Sequence, residues 1–266
     1  MNFERSKLSL DGLFSWLVPT GARLPSDLPN KVLFRGESVS GISSYLAGWM
    51  SGEGIDVIVL DGANGFDPYM VSSFARKALI PPERLLKRIR IARAFTCYQM
   101  ATLVERLALL LHQERTVPCE SLPSPFRRLT AIRQEKRGAA GVILLGPITT
   151  FLDEDVPERE VEPLFERTLR KMEAMAEERI PFLLFQSCGN PRFSPFIKGR
   201  ARGVQDSRRA HLMKRLFQFS SLIWKVSLEA EGPKLVLEKG LTGDVGDRGL
   251  GISRRQVPKE SVSPED

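Results

Sequence analysis

Cysteine and histidine are scarce in this chain, and their scarcity removes several kinds of chemistry. The 266 residues hold three cysteines, Cys97, Cys119 and Cys188, and two histidines, His112 and His211. The cysteines are odd in number, far apart and in no CxxC pair, so neither a disulfide framework nor a zinc site is expected. Long apolar runs are missing too. No stretch of about 18 apolar residues occurs, which removes a membrane-spanning helix. The opening MNFERSKLSLDGLFSW mixes charge into its apolar positions and has no signal-peptide core. Together these absences point to a reduced intracellular compartment, cytoplasmic or nucleoid-associated, with no membrane partner and no metal.

Positive charge is in excess. Lys and Arg number 39 against 32 Asp and Glu, a net charge of +7. Between Asn190 and Leu216 stand Arg192, Lys198, Arg200, Arg202, Arg208, Arg209, Lys214 and Arg215 against Asp206 alone. Eight minus one equals the excess of the whole chain, so the remainder is close to neutral. Phe193, Pro195, Phe196, Gly199 and Gly203 interleave with these cations, and the segment reads as a flexible loop. A concentrated cationic loop with aromatic rings suits a nucleic-acid backbone with exposed bases, single strands above all. The plain alternative is a solvated loop with a generic charge excess.

In order, the chain alternates strand and helix signals. An amphipathic helix is expected over residues 3–17, then a proline-rich connection to about residue 30. Apolar runs at Val32–Arg35, 55–60, Arg88–Phe95, Gly141–Leu145 and 182–186 read as strands, buried on both faces where the run is continuous. Helices are expected from about Ser43 to Ser51, over 70–79, from Cys97 to His112 (Leu103, Leu107, Leu110 and Leu111 inward), over 127–137 and from about Glu160 to Glu178. Pro81 and Pro82 read as stops, and 116–126 as a loop. Leu222–Leu228 and Leu235–Glu238 read as a closing hairpin, and 251–266 as a disordered tail. Alternation of this kind predicts one α/β domain over 31–250 with a mainly parallel sheet, helices on both faces and an antiparallel hairpin at the end.

The stretch Val32–Ser44 organises this layout. Strand VLFRG leads into Gly36 and Gly41, with four residues between them, and Ser43 two positions on. That spacing is the frame of a phosphate-binding loop, in which the residue before the Ser/Thr is a lysine that reaches the outer phosphates. Here that position holds Ile42. Gly36, Gly41 and Ser43 are therefore candidate cofactor-binding residues of a degenerate site. The plain alternative is a structural turn into which Ile42 packs.

The order of pieces resembles the core of the RecA-superfamily recombinases, above all the RadA-type strand-exchange proteins and their paralogues. ARAFTCYQ (92–99) is similar to the family's junction between third strand and helix. DGANGFDP (61–68) shares Asp61, Phe66 and Pro68 with the family's turn after the second strand, and FLLFQS is similar to the strand whose end carries a sensor glutamine, here Gln186. The resemblance covers roughly residues 9–250 and implies a RecA-like three-layer domain. It also implies where charge is missing: the phosphate-loop lysine falls on Ile42, the catalytic glutamate on Ala63, and the magnesium-associated aspartate on Gly146. Phosphoryl transfer depends almost wholly on positioning and electrostatics, so loss of all three predicts no turnover and no catalytic residues. By its place after the glutamine strand, 192–215 corresponds to the family's DNA-binding loop.

The resulting expectation is a catalytically inactive, recombinase-paralogue-like protein that binds DNA or assists a recombination or repair complex. It works with a recombinase-like partner or by self-association, and has no cofactor. Two alternatives stand beside it: a RecA-superfamily ATPase that still binds or turns over nucleotide, and an assembly scaffold without DNA contact. Asp153, Glu154 and Asp155 read as a solvated acidic loop ahead of a helix rather than metal ligands, and Cys97 and Cys188 as packing thiols.

Overall fold

The computed structural model describes residues 30–116, 140–153, 156–187, 202–229 and 232–239. The helix expected at 3–17, the basic helix at 127–137, the tail from 251 and nearly all of the loop at 116–126 lie outside them.

The run DVIVLD is buried along nearly its whole length, which requires neighbours on both edges and cover on both faces. The described elements are β1 (Lys31–Gly36), α1 (Val39–Gly52), β2 (Asp56–Asp61), α2 (Pro68–Lys77), α3 (Pro82–Leu86), β3 (Ile89–Arg93) and α4 (Cys97–Thr116). After them come β4 (Ala140–Leu145), a 3₁₀ turn (Thr149–Leu152), α5 (Glu158–Glu177), β5 (Phe182–Ser187), α6 (Arg202–Phe219), β6 (Leu222–Glu229) and β7 (Gly232–Lys239). The seven strands form one sheet in the order β3-β2-β4-β5-β1-β6-β7. All pairs are parallel except β6 with β7.

Side chains alternate between two cores, as the two-residue repeat of a strand demands. Val32, Phe34, Val57, Val59, Leu183 and Phe185 pack beneath α1, α2 and α3. Leu33, Ile58, Leu60, Phe182 and Leu184 pack beneath α4, α5 and α6. Phe34 and Phe185 stack with ring centroids 4.8 Å apart, joining β1 to β5. The α/β class, the mainly parallel sheet and the closing antiparallel pair match the expectation.

Four local readings are corrected. Helix α1 begins at Val39 rather than near Ser43, because Val39, Ile42 and Leu46 already fall at helical spacing and are all buried. The prolines at 81–82 do not only stop a helix: Pro82 opens the short α3 at its first position, where its missing N–H costs nothing. On α4 the buried stripe runs Cys97, Met100, Val104, Leu107 and Leu111, while Leu110 is 45% exposed. The segment from Arg202 is a helix, not a flexible loop; Leu212 and Leu216, one turn apart, are both buried under it.

Candidate functional site

The strand order contains one reversal. From β1 through β2 to β3 the chain moves toward one edge with its helices on one face; from β3 through β4 and β5 to β6 it returns with its helices on the other, so that β2 and β4 are the neighbours whose connections diverge. Open α/β sheets bind ligands in the crevice outside the carboxyl ends of strands at such a reversal. Gly36 and Ser187, the last residues of β1 and β5, stand in register further along that rim. The loops after β1, β2 and β4 converge on the same rim.

After β1 only Glu37 and Ser38 intervene before the helix. A Cβ on Gly36 would stand 1.9 Å from the Val226 carbonyl oxygen, and its φ of 142° is one that side chains resist. Glu37 N–H donates to that same oxygen at 3.4 Å, so the turn is pinned onto β6. Ser38 takes φ 55°, and α1 starts at once. Gly41 lies inside the first turn of the helix, with nothing within 4 Å of where its Cβ would be. Ile42 is buried in the core under α1. Ser43 is fully buried, and its hydroxyl donates to the Ser40 carbonyl at 2.6 Å. The three glycine and serine candidates therefore do not line one cradle of converging amides.

After β2, Asp61 builds the turn. Its fully buried carboxylate accepts N–H bonds from Ala63 (3.2 Å), Gly65 (3.1 Å) and Phe66 (3.1 Å), and pairs with Arg93 Nε at 3.5 Å. These partners use the carboxylate to fix the backbone of the turn. Asp67 then caps α2 by accepting from Tyr69 N–H at 2.8 Å, with Pro68 at the first helical position. The sequence signal for this role was present, since aspartate ahead of a Gly-Ala-Asn-Gly run is a side-chain-to-backbone turn former.

After β4, Gly146 takes φ 61°, and a Cβ there would stand 2.8 Å from the Ala63 Cβ and 2.5 Å from Thr149 Oγ1. Positions 63 and 146 thus face each other across neighbouring strand ends. Both lack a carboxylate, and no group of three metal-ligating side chains occurs among the described residues. Gln186 is buried between β5 and the turn after β4: its Oε1 accepts from Ile148 N–H at 3.2 Å, and its Nε2 donates to the Ser187 carbonyl at 3.1 Å.

The basic segment divides. Arg192, Lys198 and Arg200 lie outside the described residues, as does the side chain of Arg202. On α6, Arg208 donates to the Asp153 carbonyl at 3.1 Å. Arg215 grips both oxygens of Glu166 on α5 and also reaches Gln218. The hydrogen bond from Arg215 holds the Glu166 carboxyl below its usual range, although burial pulls the other way. His211 lies 3.1 Å from Glu162 on the same face. Arg209 is half-buried, and Lys214 is exposed. Much of the described charge on α6 thus fastens the helix to α5 and to the end of the 3₁₀ turn. Cys97 is fully buried and burial pushes its thiol pKa up, the behaviour of a packing residue. Cys119 and Cys188 fall outside the described residues. No helix among the described residues is long and apolar enough to cross a membrane.

No protein-family model matches the chain, and no curated protein sequence matches it.

Proposed function

We propose that this chain is a RecA-like protein without ATP turnover, which acts by binding DNA and by joining a recombination or repair assembly. The observation that carries the reading is the two-residue turn between β1 and α1, with Ile42 buried where a phosphate-clamping lysine would have to be free. The contact between Ala63 and the hydrogen of Gly146 adds to it. The resemblance assigns a catalytic glutamate and a magnesium-associated aspartate to these two positions, and such residues need to meet over one substrate. Here they meet as a methyl group and a hydrogen.

For the nucleic-acid contact we favour Arg192, Lys198, Arg200 and Arg202 with the exposed Lys214. Arg208 and Arg215 serve chiefly to hold α6 in place. The experiment is a salt titration of binding to single- and double-stranded DNA by the full chain, run beside an ATPase assay. Each single-strand phosphate neutralised steepens log K by about 0.7 per log salt. Replacing Arg192, Lys198, Arg200 and Arg202 by alanine is expected to weaken binding and flatten that slope. Unchanged binding and slope would overturn the DNA assignment. ATP turnover abolished by changing Gly36 or Ser43 would overturn the reading of the strand-end site.

A further inference from the structure

Strand β7 ends the sheet, and among the described residues no strand pairs with its outer side. Which of its backbone groups face outward follows from one proline. Pro233 stands opposite Leu228 and has no N–H, a residue tolerated where the missing donor points away from the ladder. Backbone groups alternate sides along an antiparallel strand. Leu235 and Leu237 therefore also direct N–H and C=O outward, leaving a short row of groups ready to accept a further strand.

The charge pattern says which strand fits. Leu235 and Leu237 pack on the α1 side of the sheet. Glu238 lies on the other side, where Arg35 holds both of its oxygens at 2.5 Å, and alternation puts Lys234 and Val236 there with it. A second β7 laid antiparallel and centred on Val236 sets each Leu235 opposite a Leu237, so that the outward groups of both can exchange hydrogen bonds. It sets Val236 opposite itself and Lys234 opposite Glu238, twice. Registers moved by one residue lose both charge matches. We propose that β7 pairs with β7 of a second copy of this chain, joining the two sheets across a two-fold axis.

Two features limit the contact to one partner. The pairing of β6 with β7 shifts at Glu238, between Trp224 opposite Leu237 and Ile223 opposite Lys239, and such a bulge bends the edge away. Pro233 withholds a donor at the other end. The pairing is therefore confined to Lys234–Glu238, and a self-complementary patch closes as a dimer instead of growing. Glu238 is already fixed by Arg35, so the incoming ammonium of Lys234 meets a carboxylate in position.

The test is the mass of the full chain by sedimentation equilibrium over a wide range of protein concentration, and it is independent of nucleotide and DNA. A concentration-dependent dimer is expected. Lys234→Glu, which sets like charges opposite each other twice, is expected to raise the dissociation constant roughly tenfold or more. Glu238→Lys alone is expected to do the same, while an equimolar mixture of the two variants re-forms a mixed dimer. Because Glu238→Lys also removes the partner of Arg35, Val236→Lys supplies a second variant, with like charges meeting on the axis; circular dichroism checks that each remains folded. A wild-type chain that stays monomeric throughout, or a dimer that neither Lys234→Glu nor Val236→Lys weakens, would overturn the proposal.

Discussion

Gly36 passes beneath the Val226 carbonyl so closely that an added methyl group would stand 1.9 Å from its oxygen. Gly36→Ala meets both that clash and a backbone angle hostile to side chains. The expected loss is roughly 2–4 kcal/mol, read as a lower urea midpoint at unchanged slope. A Gly41→Ala control should be neutral or slightly stabilising, because that position lies in a helix with open space around it.

Placing a lysine at position 42 should not create an ATPase. Ile42→Lys would force an ammonium into the core beneath α1, at an expected cost of about 3 kcal/mol or more. The result to look for is a fall in melting temperature with no gain in ATP turnover. A stable variant that hydrolyses ATP would mean that the turn opens far more readily than its packing implies.

Asp61→Ala strips three backbone N–H groups and Arg93 of one shared acceptor. Its expected cost is roughly 3 kcal/mol. Hydrogen exchange should locate the change at residues 62–66 rather than across the whole sheet.

The pair of Arg215 with Glu166 predicts a pH signature. The folded Glu166 titrates below its ordinary 4.5, so the pair stabilises the protein in full above about that pH. The contribution is lost as the pH falls through the lowered folded value. Urea midpoints of the parent and of Arg215→Ala should differ by a constant amount above pH 4.5 and converge below it. The difference is modest, because the pair is open to solvent. DNA affinity should fall for Lys214→Ala and barely change for Arg215→Ala.

The sheet was legible because its evidence is local. Runs such as IDVIVL and FLLFQ announce strands buried on both faces, and the alternation with helices announces a parallel sheet. The hairpin announced itself through Glu-Ala-Glu-Gly-Pro between two β-rich runs. The α6 segment did not, because Gly199, Gly203 and its arginines suggest a loop. Its helix rests instead on Leu212 and Leu216 docking against a core assembled from distant chain, a tertiary effect that overrides local preference. At the candidate site, spacing showed Ile42 standing where the frame of a phosphate loop has a lysine. It did not reveal that only two residues separate β1 from α1, since helix starts are the least certain feature of any pattern. That Ala63 faces Gly146 depends on β2 and β4 being neighbours, and the linear order of the chain hides this.

The same strand order governs how the protein must be made. β1 is the first described strand to leave the ribosome, yet its partners are β5 and β6: Lys31 pairs with Phe182, and Val32 with Leu222. At the usual 5–20 residues per second, the ribosome takes roughly 10–40 s to deliver β6 after β1. Through that interval Val32, Leu33 and Phe34 have no strand beside them and no finished core around them. Nucleation is therefore expected among β2, β3 and β4, which are closer together in the chain, with β1 entering late between β5 and β6. A nascent chain of this design invites holding factors, and a messenger that slows translation before β5 would lengthen its exposure to aggregation.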